Sequence, residues 1–196
     1  MLILASASPR RRELLARIVA EFRVVPSGVD EALDGGPSPA AVAAVALRKA
    51  RAVASRHGHE VVLAADTVVV IDGAALGKPA DPPEARAMLR RLRGRPHEVI
   101  TGLALVDART GRESGSAVTT RVLMRDYGDD AVEAYVASGE PFDKAGGYAI
   151  QEAGGDLVGG YVGSYSNIVG LPLEAARRLL ASFGVPLIEP APGSRA

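Results

Sequence analysis

The stretch VVLAADTVVVIDG, residues 61–73, decides the fold. Apolar and β-branched residues run through it without the strict alternation of a half-solvated strand, so residues 61–71 read as a buried strand. Asp72-Gly73 then supplies a turn dipeptide. Upstream, LILAS (2–6) precedes a helix from about Pro9 to Val19 whose Leu14, Leu15, Ile18 and Val19 recur at helical spacing. FRVVP (22–26) reads as a second strand, and Ser38-Pro39 opens a helix expected to reach about His57 and to end at Gly58.

Downstream, Pro83 to Leu92 reads as a short Arg-rich helix. HEVITGLALVDA (97–108) and a run through Val122 flank Arg109-Thr110-Gly111 as a long hairpin. Asp130 and Glu133 have capping-box spacing ahead of a helix that stops at Gly139. Pro172 to Phe183 forms the last amphipathic helix, VPLIEP follows, and PAPGSRA reads as a disordered tail. Strands and helices alternate early while the middle is hairpins, which predicts an α/β protein with a mixed sheet. Without a repeat or a clear linker, residues 1–189 are expected to form one domain and 190–196 the tail.

Bulk composition narrows the function. The chain has 196 residues, 47% of them hydrophobic, which is enough for a sizeable core. Its 23 basic and 23 acidic residues cancel, so no global field holds a nucleic-acid backbone or an anionic membrane, and an anion site must be local. Zero cysteines exclude a disulfide framework and a thiolate metal site. The opening Met-Leu-Ile-Leu run is too short for a signal peptide or a membrane span, so a cytoplasmic location is the default expectation.

Five places carry chemistry. In LASASPRRREL (4–14), Ser8 and Pro9 open a helix whose first turn holds Arg10, Arg11 and Arg12. Cations there oppose the helix dipole, so the turn is either a solvated basic start or a phosphate site in which N–H groups and guanidinium forks meet an anion. Asp66 interrupts an apolar strand and needs a cation: it is either structurally satisfied or a general base or Mg²⁺ ligand, with the Thr67 hydroxyl beside it. GVDEALD places Asp30, Glu31 and Asp34 in a loop, from which Glu31 could complete a hard-cation site with Asp66. Lys49, Lys78 and Lys144 are isolated lysines, each on its own compatible with a surface position. Finally, DKAGGYAIQ and GSYSNIVGLP combine close-approach glycines with Lys144, Tyr148 and the Gln151 amide, which can pair with a base edge.

Taken in order over nearly the whole chain, SASPRRREL, AADTVV, LGKP, FDKAGGYAIQ and GSYSNIVGLP resemble the Maf family of nucleoside triphosphate pyrophosphatases. The resemblance implies an elongated mixed α/β fold of two lobes around a deep cleft, similar to inosine triphosphate pyrophosphatases. It also implies hydrolysis of a nucleoside triphosphate to the monophosphate and pyrophosphate, aided by a divalent cation, Mg²⁺ or Mn²⁺, and a housecleaning role against modified nucleotides. On that pattern Asp66 corresponds to the proton acceptor, with Lys78 and Lys144 as its catalytic companions. Ser8, Arg10, Arg11, Lys49, Thr67 and Gln151 form the substrate-binding set, and Asp66 with Glu31 the metal pair. Arg10, Thr67 and Gln151 resemble the subfamily acting on dTTP and UTP rather than the one associated with 7-methyl-GTP. Ala65 stands where the family usually has glycine.

Three other features complete the expectation. The partner is a nucleotide, with no membrane and no nucleic acid, and a homodimer is an allowed assembly. The rival classes are a nucleic-acid-binding or septum-formation regulator and a nucleotide sensor without turnover. Phosphate-driven polymer binding would weaken steeply with salt, whereas hydrolysis needs no polymer.

Overall fold

The structure, a computed structural model, describes residues 1–189. The tail expected at 190–196 lies outside the described residues. Elements follow in the order β1 (Leu2–Leu4), α1 (Pro9–Ala16), β2 (Phe22–Val24), α2 (Pro39–Ala54), β3 (Val61–Ile71), β4 (Ala74–Leu76) and α3 (Pro82–Leu92). Then come β5 (Pro96–Asp107), β6 (Glu113–Met124), α4 (Asp129–Ala137), β7 (Val158–Val162), α5 (Tyr165–Val169) and α6 (Leu173–Ser182). The seven strands form one mixed sheet in the order β2-β1-β3-β5-β6-β7, with β4 also on β3. β1 runs parallel to β2 and β3, and every other pair is antiparallel.

β3 organises the molecule. Along one edge it pairs with β5 from Val61↔Asp107 to Val70↔Glu98. Along the other, β1 covers residues 61–63 and β4 covers 69–71, so residues 64–68 have no strand partner on that side. Side chains alternate across this strand. Val62 and Ala64 pack with Ala46, Ala50 and Val53 of α2, whereas Leu63 and Ala65 pack with Leu14, Leu15 and the α6 residues Ala176 and Leu180. Each fully buried leucine there contributes about 1.5–3 kcal/mol of transfer free energy. Ala65 is fully buried in that second cluster, so its methyl is accommodated by packing.

Beyond the notch, a separate core gathers Val69, Leu89, Leu92, Met124, Tyr135 and Tyr148 around α3 and α4. One sheet thus threads both lobes, with the α2 and α1–α6 clusters on its two faces in the first and this core in the second. Gly102 sets how closely α2 can approach it: a Cβ there would lie 2.4 Å from the Val42 carbonyl oxygen. Because Gly102 faces Asp66 in register, this close approach happens beside the one carboxylate of β3.

Most sequence expectations hold, with corrections at the ends. α1 stops at Ala16, and Ile18 and Val19 are buried in the turn after it. α2 stops at Ala54, before His57 and Gly58. No capping box forms at Asp130 and Glu133: the cap of α4 is Gly128, Asp130 lies inside the helix, and Glu133 pairs instead with Arg86 of α3. The expectation also lacked β4, β7 and α5, all of them short.

Candidate active site

A cleft of about 470 Å³ opens over residues 64–68 of β3, where the sheet edge is bare. It is lined by the α1 start, the Glu31 loop, Lys49, Lys78 and the segment from Asp143 to Gln151. Its volume lies in the usual range for small-ligand sites. Arg10, Arg11, Lys49, Lys78 and Lys144 outnumber Glu31, Asp66 and Asp143 along its wall by two. A neutral protein therefore carries a locally positive cleft, as the charge balance requires of any anion site.

The alternation of β3 splits the chemistry. Asp66 faces α2, and Lys49 donates to its Oδ1 at 2.5 Å and to Glu31 Oε1 at 2.6 Å. Both Asp66 and Lys49 are buried, and this ammonium is the cation that the carboxylate needs. Burial pushes the Glu31 carboxyl up, but the Lys49 hydrogen bond and the charges of Lys49, Lys78 and Arg11 outweigh it and leave Glu31 below its usual range. Two hard oxygen donors already converge here on one cation. Among the described residues no third His, Cys, Asp or Glu joins them. Carboxylate oxygens are the donor class that Mg²⁺ and Mn²⁺ take, so the chemistry of this pair fits such an ion.

Thr67 faces the other way, toward α1. Arg11 donates Nη2–H to Thr67 Oγ1 at 3.0 Å and Nε–H to the Gly170 carbonyl at 2.9 Å. Burial pulls the Arg11 guanidinium below its ordinary value, while the charges of Asp66 and Glu31 oppose that shift. The three arginines of the α1 turn diverge. Arg11 points inward, Arg10 lines the cleft and pairs with Asp143 at 3.2 Å, and Arg12 is exposed and outside the cleft. Ser8 lines the cleft too, but its hydroxyl caps α1 by accepting from the Arg11 N–H.

On the opposite wall Lys144 is buried and donates to Asp143 Oδ1 and the Glu140 carbonyl, both at 2.6 Å, with Glu152 at 3.4 Å. Burial raises the Asp143 carboxyl, but Lys144 and Arg10 bring it below its usual range. Lys78 and Gln151 are exposed on the rim, and among the described residues neither has a side-chain partner. Tyr148 is buried in the cleft wall, its hydroxyl 2.7 Å from His97 Nε2.

The cleft brings together every residue the sequence singled out for catalysis, substrate and metal. Asp30 and Asp34 do not join it: Asp34 pairs with Arg48 and Asp30 receives the Ala32 N–H. Two lysines read as surface-compatible, Lys49 and Lys144, are buried. Sequence reasoning missed Asp143, which neighbours Lys144 in FDKAGG and was legible as a counter-ion. It also missed Thr101 and Asn167, whose contacts cross the sheet and leave no local signal.

This fold and site define a class. The family model described as Maf-like protein matches residues 1–183, and the chain belongs to the Maf family. Relatives named dTTP/UTP pyrophosphatase include that of Moorella thermoacetica, 53% identical over 94% of this chain and 95% of its own length. Those of Myxococcus xanthus (51%; 95% and 94%) and Thermococcus gammatolerans (48%; 91% and 95%) carry the same name. Among solved structures, the Staphylococcus aureus Ham1 protein aligns at TM-score 0.45 and 14% identity over 65% of this chain and 74% of that one.

Proposed function

We propose that the chain hydrolyses nucleoside triphosphates, dTTP and UTP before others, to the monophosphate and pyrophosphate. The observation that carries the reading is one cleft in which a buried carboxylate, Asp66, stands among Arg10, Lys78 and Lys144 at the bare edge of β3. The names of relatives about half identical over nearly the full chain support it. Residues 1–189 are read as one domain, because a single sheet runs through both lobes.

In this mechanism Lys49 holds Asp66 through Oδ1, leaving Oδ2 to take a proton from a water aimed at the α-phosphorus. Arg10, Lys78 and Lys144 bind the triphosphate oxygens and offset the charge that gathers on departing pyrophosphate. With a divalent ion bound, Asp66 and Glu31 would hold it in place of the Lys49 ammonium and it would neutralise phosphate charge, Asp66 then serving as ligand rather than base. Arg11 stays in place under Thr67 and shapes the floor, and Gln151 on the rim reads the base edge with its amide. A regulator bound to nucleic acid is disfavoured by the zero net charge. No helix of the described residues is long and apolar enough to cross a membrane.

The test mixes purified protein with Mg²⁺ or Mn²⁺ and a panel of nucleotides and measures pyrophosphate release. Release from UTP and dTTP ahead of CTP, GTP and 7-methyl-GTP is expected. Binding without release would make the chain a sensor instead.

A further inference from the structure

Thr101 lies directly across from Thr67 in the β3–β5 register and is fully buried, and no step of hydrolysis calls on it. Its hydroxyl stands 2.9 Å from Thr67 Oγ1 and 3.1 Å from the backbone carbonyl of Asn167. Proton counting gives these contacts a direction. A carbonyl only accepts, so Thr101 donates its single proton to Asn167. Thr101 must then accept from Thr67, whose own proton is thereby turned inward. Only lone pairs remain on Thr67, and one of them receives the Arg11 Nη2–H at 3.0 Å.

The anchor of this chain is itself fixed. The Asn167 side chain is fully buried and donates to the Val99 carbonyl at 2.9 Å and to Thr120 Oγ1 at 3.0 Å. Three residues on, the same turn offers the Gly170 carbonyl to Arg11 Nε–H. The α5 turn therefore sets both Arg11 directly and Thr67 through Thr101.

We propose that Thr101 is a positioning residue that fixes Thr67 as a hydrogen-bond acceptor toward the cleft, which holds Arg11 and favours substrate groups that bring a donor. The substrate half of this inference rests on the nucleotide reading above. Uracil and thymine carry a ring N3–H, whereas cytosine presents an acceptor at that ring position, so a site whose Thr67 can only accept discriminates between them.

The experiment compares Thr101→Val, which keeps shape and removes the hydroxyl, with Thr101→Ser, which keeps the hydroxyl. Two quantities are read: the ratio of kcat/KM for UTP over CTP, and the hydrogen-exchange rate of Arg11 Nε–H by ¹⁵N NMR without nucleotide. Thr101→Val is expected to narrow the ratio about tenfold and to speed the exchange, while Thr101→Ser keeps both near wild type. Because Thr101 acts through Thr67, the Thr67→Val/Thr101→Val double variant should be no worse than Thr67→Val alone. Should Thr101→Val fail to fold, Thr101→Cys replaces it with a weaker donor. Wild-type behaviour of the valine variant in both quantities, or equal losses in the serine and valine variants, overturns the inference. If wild type releases pyrophosphate from no nucleotide, the functional reading falls, and the Arg11 exchange rate still decides whether Thr101 holds the site.

Discussion

Asp66 and Thr67 are neighbours in sequence and face opposite sides of the sheet, Asp66 toward Lys49 of α2 and Thr67 toward Arg11 of α1. Only where β3 lacks a neighbour can both open into one cavity, and residues 64–68 are that place. The pair divides the labour: one face of the strand carries the charge chemistry, the other fixes a guanidinium.

Asp66→Asn should therefore lose at least about 10²-fold in kcat while remaining folded. Glu31 stays hydrogen-bonded to Lys49, so the buried ammonium is not left without a carboxylate. Steady-state pyrophosphate release together with a thermal melt checks both halves; a near-normal rate removes Asp66 from the mechanism.

The arginines of α1 should rank by direction. Arg11→Ala is expected to cost most, in activity and in stability, because it strips donors from Thr67 Oγ1 and the Gly170 carbonyl. Arg10→Ala should lower kcat/KM for UTP and leave the melt nearly unchanged, since its partner Asp143 is exposed. Arg12→Ala should do neither. Equal small effects across the three would return the turn to a solvated helix start.

In the proposed function Gln151 reads the base edge from the rim, alongside the Thr67 acceptor. Replacing its amide donor by an acceptor in Gln151→Glu should reduce kcat/KM for UTP more than for GTP, by roughly tenfold for one mismatched group. A proportional loss on all nucleotides would place Gln151 outside base recognition.

Stability should depend on pH through His97. Burial lowers its pKa from 6.5 to about 4, a shift only partly opposed by the Arg95 backbone. Between those values the unfolded chain binds the proton and the folded one does not, so stability rises with pH from about 4 to 6.5 and levels off above. Full protonation of the unfolded state would cost roughly 3 kcal/mol. His97→Gln keeps a partner for Tyr148 without titrating, and chemical denaturation across this window should show a flatter slope.

Gly102→Ala is predicted to destabilise by about 1–3 kcal/mol, because its new methyl meets α2 backbone and cannot be relieved by a side-chain rotation. Pushing α2 outward moves Lys49 away from Asp66, so kcat should fall alongside the melting temperature.

Much of this was legible. The β3 run, the long β5–β6 hairpin and the amphipathic α2 and α6 announce themselves through periodicity and turn dipeptides, and the structure keeps them within a few residues. β4, β7 and α5 span three to five residues each, too few for periodicity to speak, and exist because β3, β6 and the β5–β6 pair offer them partners. At the site, the motif residues could be named but not paired. That Lys49 answers Asp66 follows from α2 crossing the sheet at Gly102 of β5, the register partner of Asp66, a contact between segments far apart in sequence. Arg11 rather than Arg10 turns inward because the Gly170 carbonyl and Thr67 wait on that side.

The interrupted edge of β3 also acts as a ruler. Five unpaired residues at about 3.3 Å each give a slot of roughly 17 Å, closed at one end by β1 and at the other by β4. Its length is written in strand register, not in loop conformation. Insertions that extend either β1 or β4 would shorten the slot in steps of one residue, whereas the Arg109–Gly111 turn at the far end of the β5–β6 hairpin can grow without touching it. Tolerance to inserted residues should therefore be lowest just after Leu4 and just after Leu76, and highest at that distant turn.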